Sequence, residues 1–299
     1  MNALYLLKCP VCGRNVVSDG KSLFCVGGER RHLFDFASSG YVNLLPPGRG
    51  KNARTGDDKS MISARARFLD KGYYFNVSNR IGNIISELAE NTGKSEISFA
   101  DCACGEGYHT CNILKTIAEN RIDPTALAFD ASKHGASYGA RRAAKVKEEN
   151  KAFFAAANIF SLPVKDSSVD FALSIFAPIA WDESKRILKD DGFLIVASSG
   201  EQHLFELRHA LYDEPRSATG IVRVPDGFNV VSEETLSYTA KLVCNEDIMN
   251  LFYMTPFCYK TSKRDVEKLS SLDSLEVTVE VKLTVLKDST IKGNLEGNL

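Results

Sequence analysis

Ile97-Ser98-Phe99-Ala100-Asp101-Cys102-Ala103-Cys104-Gly105-Glu106-Gly107 reads as a buried strand running into a glycine turn, and Tyr108 to Glu119 follows as a helix. That sequence of elements is the first βα unit of a Rossmann-like domain. Glycines in the turn let the backbone approach a ligand closely, and the free amides at the helix start favour a negatively charged group. A second apolar strand, Thr125-Ala126-Leu127-Ala128-Phe129, ends at Asp130, whose carboxylate is placed to accept hydrogen bonds from the ribose hydroxyls of an adenosine moiety. Dinucleotides and S-adenosylmethionine (SAM) both use this geometry, so the turn has to decide between them. After Gly105 and Gly107 the third position of a dinucleotide fingerprint is Thr110, which argues against a pyrophosphate. Asp101, four residues before Gly105, fits instead the first motif of SAM-dependent methyltransferases, D-x-G-x-G-x-G. Ala103 replaces the first glycine of that motif, which predicts a negative φ there and room for a methyl group.

Downstream the alternation continues. Ala155-Ala156-Ala157-Asn158 ends a third strand, Val169 to Ile175 forms a fourth that leads into Phe176-Ala177-Pro178, a helix runs from Asp182 to Leu188, and Phe193 to Ala197 follows the turn Asp190-Asp191-Gly192. Five βα alternations predict an α/β domain, a doubly wound sheet of the class I SAM-methyltransferase type with helices on both faces and ligands above the carboxyl strand ends. Asn158 is placed at the adenine edge. Phe176 and Pro178 are candidates for the pocket of the reacting group, with Phe176 either stacking on it or packing as a core aromatic. His203 opens the segment after the fifth strand. Cys102, Cys104 and Cys111 flank the glycine turn and read as small packing residues.

At the other end, Cys9-Pro10-Val11-Cys12 is followed by Cys25 and then His32. Two thiolates at C-x2-C grip one ion from a single knuckle, and a second knuckle across a short hairpin completes a closed tetrahedron. The predicted hairpin strands, Arg14–Ser18 and Ser22–Cys25, are too short to hold together by burial alone, so a structural zinc supplies the stability. Asp35 is an alternative to His32 as the fourth ligand.

The chain has 299 residues, 44% of them hydrophobic and 25% charged, enough for one large core or two smaller ones. No apolar run approaches the length of a membrane span, and Ala3–Leu7 lacks the flanks of a signal peptide, which predicts a cytoplasmic protein whose eight cysteines are thiols or metal ligands. The net charge of −1 hides an asymmetry. Residues 1–71 carry 12 Lys and Arg against 6 Asp and Glu, whereas the remainder carries 25 against 32. A basic amino-terminal part suits contact with a polyanion or is simply a solvated surface; Gly48-Arg49-Gly50-Lys51-Asn52-Ala53-Arg54-Thr55-Gly56 is its basic loop, and Arg65 and Arg67 extend its reach. The expected organisation is a zinc ribbon (1–36), a basic connector and helix (37–75), a methyltransferase domain (76–288) and a tail (289–299). Helical spacing spans Asp58 to Asn91, with Gly72 splitting it in two.

Several blocks together resemble one family: Cys9-Pro-x-Cys12, Gly40-Tyr-Val-Asn-Leu-Leu-Pro46, Gly56-Asp57, Ala64-Arg65, Phe68-Leu69, Gly72-Tyr73-Tyr74, Cys104-Gly-Glu-Gly-Tyr108, His203-Leu204 with Glu206-Leu207, and Met254-Thr-Pro-Phe257. The chain resembles the RlmA family of 23S rRNA guanine N1-methyltransferases from about Cys9 to Phe257. That resemblance implies a SAM-dependent enzyme, acting as a homodimer on a 23S rRNA hairpin, with a zinc module that helps recognise RNA. It implies Cys9, Cys12, Cys25 and His32 as zinc ligands. Tyr74, Gly105, Glu106 and His203 fall where the family contacts SAM, beside the Asp101, Ala103, Gly107, Asp130 and Asn158 read above. Phe176 departs from the tyrosine of proteobacterial members and looks like the Gram-positive branch, some of whose relatives confer macrolide resistance. Trp181, after the Phe176 turn, either contacts RNA or packs at a helix start. Two other readings remain at this stage: a zinc-ribbon RNA-binding protein with a non-catalytic SAM-binding domain, and a methyltransferase for another substrate.

Overall fold

The computed structural model describes residues 3–46, 56–146, 151–214, 220 and 222–290. Three short antiparallel strands open it: β1 (Val16–Ser18), β2 (Ser22–Cys25) and β3 (Leu33–Asp35), in the order β1-β2-β3. These strands have little apolar surface of their own, and Val16 and Leu23 bury theirs in one cluster with Leu127, Phe129, Leu162 and Val164 of the main body. Backbone bonds reinforce the joint, Lys8 N donating to Pro163 O at 2.9 Å and Lys165 N to Leu6 O at 2.9 Å.

In the connector, the alternation of Gly40 to Pro47 reads as an extended segment that ends at the double proline, and a strand forms within it. β4 (Val42–Asn43) pairs in parallel with the outer strand of the large sheet, and Leu44 N continues the ladder to Ala156 O at 2.8 Å. The basic loop read at 48–56 lies, but for Gly56, outside the described residues. α1 (Lys59–Leu69) then starts where Asp58 caps it, the carboxylate accepting from Ser60 N at 2.8 Å and Met61 N at 3.0 Å. Gly72, at φ +83°, turns the chain into α2 (Phe75–Asn91), as its place in the pattern predicts. Val77, Ile81, Ile84 and Ile85 form the buried stripe of α2.

The core follows as β5 (Glu96–Cys102), α3 (Tyr108–Glu119), β6 (Asp123–Asp130), α4 (Lys133–Lys145), β7 (Ala152–Ala156), β8 (Val169–Ile175), α5 (Trp181–Ile187) and β9 (Leu188–Ser199). α6 (Phe205–Leu211), β10 (Phe228–Leu242), α7 (Asn245–Met254), α8 (Lys263–Ser270) and β11 (Leu275–Asp288) complete it. The large sheet has the order β10-β11-β9-β8-β5-β6-β7-β4; β4 to β9 are mutually parallel, and β11 slots antiparallel between β9 and β10. Successive residues face opposite sides. Phe99, Leu173 and Ile195 join the cluster under α2 and α3, while Ala100, Ala172 and Leu194 join the cluster on the far face. The fold is therefore the doubly wound sheet expected, plus the ribbon. The turn expected at Asp190–Gly192 is a bulge inside β9: Val169 pairs with Leu188 and Phe171 with Phe193, so the longer stretch of β9 loops out.

Candidate active site and metal centre

Cys9, Cys12, Cys25 and His32 converge, with their ligand atoms all within 4.8 Å of one another. Cys25 Sγ lies 3.5 Å and Cys9 Sγ 3.7 Å from His32 Nδ1. A tetrahedral zinc with bonds of about 2.0–2.3 Å keeps its ligands about 3.5–3.8 Å apart, so this donor set fits that ion and leaves no open position for chemistry. Asp35 is not part of the group; its Oδ1 accepts from Ser22 Oγ at 2.7 Å across β2 and β3. Arg14 belongs to the centre although its spacing gave no sign of it. Its guanidinium donates to Cys12 Sγ (3.2 Å), to Cys25 Sγ (3.8 Å) and to Arg30 O (2.7 Å), and this pairing lowers the Cys12 thiol to about 6. Gly28 makes space for it, since a Cβ there would fall on the Arg14 guanidinium.

The second site lies at the carboxyl ends of β5, β6 and β8. Asp101 closes on Thr110, whose Oγ1 donates to Oδ2 at 2.5 Å, while Oδ1 is buried with no hydrogen-bond partner among the described residues. Burial pushes the Asp101 carboxyl up to about 7, against the Thr110 bond and with added repulsion from Asp130 and Glu106. Asp130 accepts from Gly105 N (2.9 Å) and Ser132 N (2.7 Å), which turns its carboxylate over the glycine turn; burial nonetheless raises its pKa. Glu106 is 2% exposed and also raised by burial, opposed by Arg65 and Arg142.

Along the turn, Gly105 and Gly107 take φ of +58° and +78°, and Ala103 takes φ +70°. The negative φ expected at Ala103 is thus wrong. The turn keeps the left-handed backbone of the usual glycine, and Ala103 absorbs the strain of its Cβ, roughly 1–2 kcal/mol. Gly107 has a packing reason as well, because a Cβ there would lie 2.8 Å from Gly139 Cα and 2.9 Å from the Phe154 ring.

Facing the turn is a cluster of rings. Phe176, 40% exposed and held at φ +51°, packs against Tyr74 (centroids 5.9 Å), stacks on His203 (5.4 Å, 28° between planes) and meets His109 at 6.4 Å. Tyr74 is buried, and its hydroxyl shares a hydrogen bond with His203 Nε2 at 3.2 Å. His203 Nδ1 is buried without a hydrogen-bond partner among the described residues. Burial lowers His203 to about 4 and His109 to about 3, the latter helped by the charges of Arg65 and Arg142, so both imidazoles are neutral at pH 7. Ser78 Oγ anchors His109 Nδ1 at 2.8 Å.

The RlmA N-terminal family matches residues 7–53, and a methyltransferase domain family matches residues 100–196. A "23S rRNA (guanine(748)-N(1))-methyltransferase" from Streptomyces fradiae is 30% identical over 96% of this chain and 98% of its own length. The chain belongs to the RlmA family of 23S rRNA guanine N1-methyltransferases. Two further relatives agree: a putative enzyme of this activity, YxjB of Bacillus subtilis, is 29% identical over 94% of this chain and 96% of its own length, and one from Micromonospora griseorubida is 29% identical over 93% and 95%.

Among the residues expected of an RlmA-family site, Tyr74, Asp101, Ala103, Gly105, Glu106, Gly107, Asp130, Phe176 and His203 gather at one end of the sheet. Pro178 is exposed just beyond Phe176. Asn158 is half-buried after β7, its Oδ1 accepting from Phe160 N at 3.2 Å. Trp181 packs at the start of α5, tilted on Phe228 at 5.4 Å. Cys102, Cys104 and Cys111 are buried in the apolar clusters on either side of the turn, the packing role read for them. His109 went unread because a lone histidine inside a helix carries no spacing signal; only the packing of α2 on α3 brings Ser78 to it.

Proposed function

We propose that this protein transfers a methyl group from SAM to N1 of a guanine in 23S rRNA. The observation that carries the reading is the meeting, at one end of the sheet, of a left-handed glycine turn with two buried acids and a ring cluster centred on a half-exposed Phe176, in a chain of this family. SAM supplies an electrophilic methyl on a sulfonium. The protein's own residues bind, orient and keep the cleft dry. Asp130 stands where ribose hydroxyls would donate, and Asn158 is assigned the adenine edge. Asp101 presents an unpaired buried oxygen that suits the ammonium of the methionine half. The neutral His203 and His109 add no positive charge that would repel the sulfonium, and the Tyr74 to His203 bond fixes the ring against which Phe176 lies.

Guanine must leave its stack to meet the methyl in line, and the exposed face of Phe176, with Pro178 beside it, is the stacking surface for the flipped base. The zinc ribbon is assigned to RNA recognition: Lys21, Arg30 and Arg31 are exposed on it, Arg31 lying 3.4 Å above the Phe24 ring. We further assign a homodimer, to be read as twice 32.9 kDa by light scattering, and a cytoplasmic location; among the described residues no helix is long and apolar enough to cross a membrane. The activity is tested with zinc-loaded protein, labelled SAM and unmodified large-subunit rRNA. Incorporation with a single reverse-transcription stop at a guanine is expected. RNA binding without incorporation would overturn the reading in favour of a non-catalytic module.

A further inference from the structure

We propose that Arg65 binds the carboxylate of the methionine half of SAM, an assignment that rests on the methyl-transfer reading above. In the sequence Arg65 belongs to a basic stretch that suits RNA phosphates. The fold separates it from its neighbour. Arg67 stays outward, its side chain 55% exposed and bonded to Asn250 Oδ1 at 2.9 and 3.0 Å, whereas the Arg65 side chain is 24% exposed and turned toward the glycine turn.

One end of the Arg65 fork is occupied. Nη2 donates to the Asp57 carboxylate and, at 3.4 Å, to Met254 O. Asp57 is fixed in turn, since its carbonyl accepts from Ser132 Oγ at 2.7 Å in the loop after Asp130. Among the described residues Nε and Nη1 have no hydrogen bond, and Nη1 lies so close over the turn that a Cβ built on Gly105 would sit 3.2 Å from it. Asp57 and Met254 therefore set the plane of the guanidinium and leave Nη1 facing the place where the backbone approaches the cofactor.

A planar guanidinium held at a fixed height with Nη1 free suits an oxyanion, and the carboxylate is the one anion that the methionine half of the cofactor carries. The charge pattern agrees with a zwitterionic guest. Burial works against the Arg65 cation, but Glu106, Asp57 and Asp130 hold its pKa above the usual value, so it stays charged; Asp101, beneath the same turn, offers the unpaired oxygen for the ammonium. Arg65 and Asp101 together would read both ends of an α-amino acid.

The test is calorimetric binding of SAM and of decarboxylated SAM, two ligands that differ only in the carboxylate, to the zinc-loaded wild type and to Arg65→Gln. Wild type should prefer SAM. The variant should lose at least about tenfold in affinity for SAM and less than about twofold for decarboxylated SAM, so that the two ligands become nearly equal. Equal losses for both ligands would overturn the assignment in favour of a general role in the fold, and no loss for either would return Arg65 to RNA. If Arg65→Gln does not fold, Arg65→Lys carries the test, with a loss of about threefold or more confined to SAM expected and an equal or absent loss overturning the assignment. Failure of the wild type to bind SAM at all would instead break the methyl-transfer reading itself.

Discussion

Asp170 and Asp101 are the same residue type, on neighbouring strands of one sheet, 2% and 1% exposed, yet they are treated in opposite ways. At the amino end of β8, Asp170 is saturated: Oδ1 accepts from Lys94 Nζ (2.7 Å) and Lys189 Nζ (3.0 Å), and Oδ2 from Ser98 N (2.9 Å), Ser98 Oγ (2.8 Å) and Lys189 Nζ (2.9 Å). Burial alone would raise its pKa, but Lys94, Lys189 and Ser98 together hold it below the usual carboxylate value. At the carboxyl end Asp101 has one hydroxyl and an orphaned oxygen, and it is pushed up to about 7. A complete shell marks a carboxylate that holds the sheet together; an incomplete one costs about 1–3 kcal/mol for the unmade bond, and the proposal made above has a guest make that bond. Left-handed backbone does not follow this division: Ala103, Phe176 and Leu204 lie beyond carboxyl strand ends, but Arg121 and Ser167 precede the amino ends of β6 and β8.

The largest effect that could break this contrast is on Asp170. Asp170→Asn leaves two lysines around a neutral amide and should cost about 3–5 kcal/mol in chemical unfolding while leaving SAM affinity of the folded fraction unchanged. A loss of SAM affinity at full folding would mean that the two ends are not separable. Asp101→Asn should do the reverse, shifting ligand-free stability at pH 7 by a smaller amount and weakening SAM binding about tenfold or more.

The contrast sharpens with pH. The folded pKa of Asp101 is raised, so its contribution to stability is fully present below its unfolded value of about 4 and is lost as pH rises through about 7. That of Asp170 is lowered, so its contribution is present above about 4 and is lost as pH falls through the depressed folded value. In urea unfolding of ligand-free protein between pH 4 and 8, His203 and His109, both lowered by burial, pull stability up with pH while Asp101 pulls it down, so Asp101→Asn should rise more, or fall less, with pH than wild type; identical slopes would refute the assignment of Asp101. The smallest effect is on strain: Ala103→Gly should stabilise the ligand-free protein by about 0.5–1 kcal/mol net of glycine's own entropy, read as a small rise in the urea midpoint.

The sheet was largely legible because its strands are apolar and close on acidic residues or glycine turns, Asp101 and Asp130 among them. The zinc set was legible for the same reason, since ligand spacing is a local property. Other features were not local. The alternation of Gly40 to Pro47 shows an extended segment but not its partner, and Val42 and Asn43 pair because β7 offers an edge. Arg65 and Arg67 are one residue apart and look alike in sequence; helix geometry sends their side chains in different directions, and Asp57 and Asn250 decide what each touches. At Ala103, φ +70°, the turn rather than the side chain dictates the backbone, and an alanine adopts that conformation at less cost than a larger residue.

The short strand β4 and the backbone bonds from Lys8 and Lys165 have a consequence for scale. The metal knuckle is stitched to the main body on both sides of its own sequence, by residues 6–8 to the loop before β8 and by Val42–Leu44 to the edge of the sheet. Two objects joined at two places act as a gauge of set opening. If the proposed RNA contact of the knuckle holds, a nucleic acid that touched the knuckle and the cleft at once would be selected by the span between them, and a hairpin one turn too long or too short would meet one and miss the other.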